Sequence, residues 1–201
     1  MPDNTKLWSE VCKTDPKYVK QITGKPYKGS SPSPYYMVAK ATRVFGPCGI
    51  GWGFTIVDDR IEAGGKPGDQ LHIARVKVWY LWEGKRGEVE HIGQTMFSGT
   101  NKNGLYTDED APKKSVTDAL VKALSMIGFA GDIFLGRYDD SKYVAALSGE
   151  IADQRAAARQ PPAPIEPPTP SELQTRETVL TVMEPPPPIE VEWTESGEVA
   201  K

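Results

Sequence analysis

The sequence has 201 residues, 38% of them hydrophobic, and a net charge of −3 at pH 7. That length allows one domain with a substantial core, or one domain plus a tail. Two cysteines, Cys12 and Cys48, exclude a disulfide framework and a cysteine zinc site, and they point to a reduced, intracellular protein. The N-terminal MPDNTKLWSE has no apolar core, so no secretory signal is expected, and no run approaches the roughly 18–20 apolar residues of a bilayer span. The expected compartment is the cytoplasm. Charge is unevenly placed. Residues 1–150 hold 20 Lys/Arg against 18 Asp/Glu, residues 151–201 hold 4 against 9, and residues 1–43 hold 8 against 3. A basic body with an acidic tail suits a polyanionic partner for the body, although a purely solubilising tail gives the same pattern.

The predicted elements make an α+β domain over residues 1–159: a helix, a three-stranded antiparallel β-meander, then two helices. The first helix is signalled by Ser33-Pro34, a capping residue followed by a first-turn proline. Met37, Val38, Ala41, Val44 and Phe45 then fall on one helical face, and Gly46-Pro47 stops it. Strands are predicted at Trp52–Ile61, Leu71–Trp82 and Val89–Phe97, separated by the glycine-rich breaks 64–69 and 84–87. In the middle strand Ala74, Val76, Val78 and Tyr80 share one face, while Arg75, Lys77 and Trp79 share the other. The strongest helix signal follows. Asp110 is the predicted N-cap, Pro112 lies in the first turn, and Val116, Leu120, Ala123, Leu124 and Ile127 form the predicted buried stripe. A last helix is predicted from about Asp140 to Arg159. Beyond it, Gln160–Pro168 and Pro185–Pro188 are too proline-rich for helix or central strand, and 160–201 reads as an acidic, disordered tail.

Signatures of chemistry are sparse. No G-x-x-x-x-G-K-[ST] sequence occurs, which argues against an ATP-driven recombinase. His72 and His91 lack partners at metal-ligand spacing and read as core-edge or solvent-facing residues. Asp58-Asp59 and Asp139-Asp140 fit turn formers and caps better than a metal pair. No catalytic residue, metal or cofactor is therefore expected. What remains is a set of cations interleaved with aromatics: Lys25 and Lys28 beside Tyr27, Arg43, Arg75 and Lys77 beside Trp79, Lys85 and Arg86 at a hairpin tip, Lys102 before the long helix, and Lys113, Lys114 and Lys122 on it. Cations that track phosphates among stackable rings are what sequence-tolerant single-strand binding requires. Ordinary solvated lysines around a core tryptophan give the same list.

Two segments carry a more specific signal. The first is Ala41-Thr42-Arg43-Val44-Phe45-Gly46-Pro47-Cys48-Gly49-Ile50-Gly51-Trp52, and the second runs from Ala111-Pro112-Lys113-Lys114 through Val116-Thr117-Asp118-Ala119-Leu120 to Ile127-Gly128. Together, over about residues 30–147, they resemble the Rad-fifty-two-type single-strand annealing proteins and the phage recombinases similar to them. There a helix ending in Phe-Gly leads to a Gly-Trp pair that opens a β-meander, and a Val-Thr-Asp helix follows. The resemblance implies a β-β-β-α core assembled into an oligomeric ring or arc, with single-stranded DNA in a basic groove. It implies DNA annealing in recombination and repair, without ATP, in the cytoplasm of a host if the chain is phage-encoded. By position, Lys113 and Lys122 match basic residues of the family's groove helix. Lys85 and Lys102 lie near its second, outer DNA site. This chain departs from the family at Val121-Lys122, where the family has two adjacent basic residues, and at Ser125, where it has an arginine. Two other readings keep less of this: a DNA-end-protecting or scaffold protein that does not anneal, and a metal-dependent nuclease built on the aspartates.

Near the end of the tail lies Ile189-Glu190-Val191-Glu192-Trp193-Thr194-Glu195, apolar residues spaced by glutamates. Such a segment can dock in a basic-rimmed apolar pocket of a partner, here a single-strand-binding or replication protein, or it can simply solvate the chain. Deleting 160–201 is expected to leave the thermal melting of the body unchanged. Loss of activity only on DNA coated with the host's single-strand-binding protein supports the docking reading; unchanged activity there leaves the tail a solubiliser.

Overall fold

The chain divides into two units, Met1–Ala158 and Arg159–Lys201. The computed structural model describes residues 3–22 and 29–159. Lys25, Tyr27, Lys28 and the predicted tail lie outside the described residues. In chain order the elements are α1 (Lys6–Val11), a 3-10 turn (Pro16–Tyr18), β1 (Val19–Gln21), β2 (Ser30–Pro32), α2 (Pro34–Phe45), β3 (Trp52–Ala63), β4 (Gln70–Trp82), β5 (Lys85–Asn101), β6 (Gly104–Thr107), α3 (Ala111–Met126), α4 (Gly131–Phe134), a second 3-10 turn (Arg137–Asp139) and α5 (Ser141–Arg159). Strands β1 and β2 form a separate antiparallel pair, and β3-β4-β5-β6 form an antiparallel meander in sequence order.

The fold class is α+β as predicted, but the meander has four strands rather than three, and a two-stranded sheet precedes it. The missed strands share a physical cause. Strand β6 is four residues long with every residue exposed, and β1 and β2 are three residues each. Elements that short carry no detectable period, and β6 forms only because the turn Asn101–Gly104 folds it back on β5. The six-residue α1 buries Val11 alone and leaves no stripe to read. Strand β5 also begins four residues earlier than expected. Glu83 and Gly84, with φ of 49° and 74°, make a two-residue turn with both φ positive, so Lys85 already pairs with Trp82.

Helix α3 lies across β4 and β5 on the face that carries Ala74, Val76 and Val78. Its buried residues are Ala111, Ser115, Ala119, Leu120, Ala123 and Leu124. The predicted stripe is therefore rotated: Val116 and Ile127 are only partly buried, and the spacing-four series Ala111, Ser115, Ala119, Ala123 faces the sheet. The reason is steric. A Cβ at Gly93 of β5 would lie 2.1 Å from the Ser115 carbonyl oxygen and 2.4 Å from the Ala119 nitrogen. The helix backbone sits directly on the strand there, and only small residues permit that approach. Neither Asp110 nor Ser33 caps its helix by a side-chain hydrogen bond; the Asp110 carboxylate accepts from Lys113 instead.

Helix α2 joins the sheet through a tight seam. A Cβ at Gly51 would stand 1.6 Å from the carbonyl oxygen of Phe45, so the chain can enter β3 only through glycine. The Phe45 ring stacks on Tyr80 at 5.0 Å and meets Phe129 at 5.7 Å. Trp52 is fully buried, and its Nε1 donates to Thr42 Oγ1 at 3.3 Å. A second tie fixes the N-terminal segment. Asp132, 2% exposed, accepts hydrogen bonds from the Thr14 backbone nitrogen (2.7 Å) and hydroxyl (2.8 Å), from the Ile133 nitrogen (2.9 Å) and from the Tyr143 hydroxyl (3.0 Å). The Tyr138 hydroxyl donates to the Thr14 carbonyl.

Truncation of Trp52 to Ala is expected to cost about 3–5 kcal/mol in chemical denaturation, the range for a buried ring that leaves a cavity. Asp132→Ala is expected to cost about 1–3 kcal/mol for each buried donor left without an acceptor. Burial, with the Asp132 charge second, pushes the Tyr143 hydroxyl up to about 12. The folded state thus holds that proton where the unfolded chain, near 10, releases it. The stabilisation is complete below about pH 10 and disappears as pH rises to about 12, and urea midpoints should show a smaller alkaline loss in Tyr143→Phe.

Candidate nucleic-acid interface

The predicted cations fall into separate groups. Arg75 and Lys77 lie on the sheet face away from α3, joined there by Arg86. Arg86 is not at a hairpin tip, and neither is Lys85; both open strand β5, the tip being Glu83-Gly84. The charges of this face answer each other. Lys77 Nζ lies 2.9 Å from Glu90 and 3.8 Å from Glu88, Arg86 lies 3.0 Å from Glu88, and Arg60 bonds both Asp58 and Glu62. The hydrogen bond from Lys77 holds the Glu90 carboxyl below its usual range, so the pair is ionised at neutral pH. Arg86 also stacks its guanidinium over Trp79, 4.6 Å from the ring centroid. Arg60, Lys77 and Arg86 are paired with Asp58, Glu62, Glu88 and Glu90, while Arg75 makes no ion pair among the described residues, and the basic and acidic side chains of the face are equal in number. It is a laced sheet surface with little net field to offer phosphate.

At the start of α3, Lys113 pairs with Asp110 at 3.0 Å and Lys114 with Asp108 at 2.6 Å. Lys122, two turns on, holds its ammonium 4.9 Å from the Phe134 ring and has no carboxylate partner among the described residues. Lys102 is not in the loop before α3 as expected. It sits in the β5–β6 turn, with β6 between it and the helix. Lys85 and Lys102 consequently mark opposite ends of the 17-residue β5, about 50 Å of strand apart. Along the strand they stand at its two ends and not side by side.

The aspartates also separate. A register shift between Ile56 and Asp58 turns Asp58 to the laced face and Asp59 to the α3 side, where Asp59 Oδ1 meets His72 Nε2 at 2.6 Å. His72 is buried rather than at the core edge, and its Nδ1 has no partner among the described residues. Asp140 accepts from the Lys142 nitrogen at 2.8 Å and so acts as a cap to α5. Among the described residues no cluster of three or more His, Cys, Asp or Glu side chains is placed to hold a metal ion.

The remaining predicted cation, Arg43, lies on a groove that the sequence does not announce. The groove runs between α2, residues 10–18 and α5, with a volume of about 800 Å³. Tyr35, Ala39 and Arg43 line it at i, i+4 and i+8 of α2, the face opposite Met37, Ala41 and Phe45. Tyr18 and Tyr36 stack at 4.7 Å on its wall, while Tyr35 projects from it with 85% of its surface exposed. Lys40 Nζ donates to the carbonyls of Val11 (2.8 Å) and Lys13 (2.5 Å), and burial holds its pKa below the usual lysine value. Lys13 and Arg155 bridge the walls through Glu150 and Asp15. The spacing of Tyr35 and Arg43 is present in the sequence as a second helical stripe, masked there by the stronger apolar one.

No helix among the described residues is long and apolar enough to cross a membrane. The fold and the interface together define an α+β protein with an antiparallel meander under one helix and a tyrosine-lined, cation-edged groove beside it. Comparison with protein-family models, with curated proteins and with solved structures finds no match to this chain.

Proposed function

We propose that the protein binds single-stranded DNA and anneals complementary strands, without ATP, metal or covalent chemistry, in DNA recombination or repair. The observation that carries the reading is the seam at Phe45-Gly46 and Gly51-Trp52. There α2 is locked onto an antiparallel meander roofed by the Val116-Thr117-Asp118 helix, the element order of the annealing family that these motifs resemble. Predicted cations that stand outside ion pairs among the described residues, and away from the laced sheet face, supply the electrostatics: Arg43, Lys85, Lys102 and Lys122. Lysine and arginine release counterions from phosphate, the strand is held extended, and a second strand pairs with the exposed bases.

Annealing proteins of this kind act as rings or arcs, and the sheet offers an edge for assembly. Strand β3 is an edge of the four-stranded sheet, and past the isolated Cys48–Trp52 bridge at its start no strand pairs with its outer side among the described residues. Its Phe54, Ile56 and Ile61 stand 40%, 47% and 47% exposed on the α3 side, beyond the helix's cover. Exposed apolar side chains along an open strand edge favour pairing with another copy.

Two labelled complementary oligonucleotides, mixed without nucleotide or metal, test the reading. Faster pairing in the presence of the protein supports annealing. Binding without acceleration identifies an end protector, and signal loss only on magnesium addition identifies a nuclease. In the same system Lys122→Ala should reduce the slope of log affinity against log salt by about 0.7, the contribution of one neutralised phosphate of a single strand. Lys77→Ala, whose charge is already answered by Glu88 and Glu90, should leave the slope unchanged.

A further inference from the structure

We propose that the groove between α2 and α5 is a nucleotide-stacking subsite for single-stranded DNA, in which Tyr35 stacks on a base and Arg43 binds the adjoining phosphate. This rests on the proposed function and adds to it a place on the molecule. Tyr35 contributes nothing visible to the packing of the fold. It is 85% exposed, and it makes no hydrogen bond or ring contact among the described residues. Its neighbour Tyr36 is different, since it stacks on Tyr18 and its hydroxyl accepts from the Asp15 nitrogen at 3.2 Å. A large ring held on a helix and left in water is a stacking platform without a partner.

Arg43 follows two turns later on the same stripe, about 12 Å along the axis, with the small Ala39 between them. Ala39 leaves open the floor on which a strand can lie from ring to guanidinium. Arg43 is exposed and unpaired among the described residues, whereas Lys13 and Arg155 in the same groove are held by Glu150 and Asp15. Lys40 beneath has committed two of its three donors to backbone carbonyls and adds a fixed positive charge to the floor. A stacking ring, a free bidentate cation and a half-buried ammonium, set against Glu10 as the unpaired carboxylate of the lining, leave this groove of about 800 Å³ with a positive balance that suits an extended polyanion with planar bases. The two ion pairs set the groove's width by tying α5 to the N-terminal segment, and they leave the Arg43 end as the place where phosphate meets an unanswered charge.

Fluorescence anisotropy of a labelled oligothymidylate with the full chain tests this. Tyr35→Ala should weaken binding about tenfold, with Tyr35→Phe and Tyr35→Trp close to wild type, because the ring and not the hydroxyl does the stacking. Arg43→Gln should weaken binding and lower the salt slope by about 0.7. Both side chains are exposed, so melting temperatures should stay at the wild-type value. If wild type binds and both variants bind equally well, the subsite is overturned while the function stands. If wild type does not bind the oligonucleotide, function and subsite both fall. If Tyr35→Ala alters the size of the assembly at unchanged affinity per subunit, Tyr35 is a contact between copies and the subsite is overturned.

Discussion

Everything in the body depends on how closely backbone is allowed to approach backbone at two places. At Gly51 the chain leaves α2 and turns under the Phe45 carbonyl. At Gly93 the α3 backbone rests on β5. These contacts fix where two helices sit on one sheet, and the rings follow from them. Phe45 reaches Tyr80, Trp82 and Phe129, and Trp52 fills the space between α2 and the sheet. The cost of the arrangement is sequence freedom. Side chains facing the sheet from α3 must be small, and the hydrophobic contribution passes to Leu120 and Leu124 on the flank.

The N-terminal segment is held by polar rather than apolar means. One buried carboxylate, Asp132, collects four donors from three parts of the chain, and Lys40 closes the end of α1 by binding its last carbonyl. Satisfied in full, such a network fixes geometry more sharply than an apolar contact of similar size. It also builds the groove, because the segment it anchors carries Lys13, Asp15 and Tyr18 to face α2 and α5.

Electrostatics sort the surface into places that attract a polyanion and places that do not. The outer face of the sheet is rich in basic residues yet nearly neutral, since β4 and β5 set Lys77 and Arg86 opposite or beside glutamates. Cations alone therefore say little about binding; their neighbours across the strand decide. Predicted cations without an ion partner among the described residues include Lys85 and Lys102 at the two ends of β5, Lys122 on α3, Arg75 on β4 and Arg43 on the α2 stripe, and the last gives the groove its polarity.

The sequence by itself determined the α+β class, helices α2, α3 and α5, the three long strands and the alternation of faces in β4. Each is a long element with a clear period, so side-chain pattern alone specifies it. It also showed the Phe45-Gly46 and Gly51-Trp52 pairs where the helix gives way to the meander, and the structure makes that junction a packing seam. Tertiary structure alone decided the rest. The short strands exist by pairing, not by pattern. The α3 stripe turned because approach distance outranked hydrophobicity at Gly93. Lys85 and Lys102, which the family resemblance places near one outer site, are driven apart by the length of β5. The groove joins residues 10–18, 33–43 and 147–158, which no local window contains. Ion pairing across strands and between segments distant in the chain is set by register and packing, and neither can be read before the chain has folded.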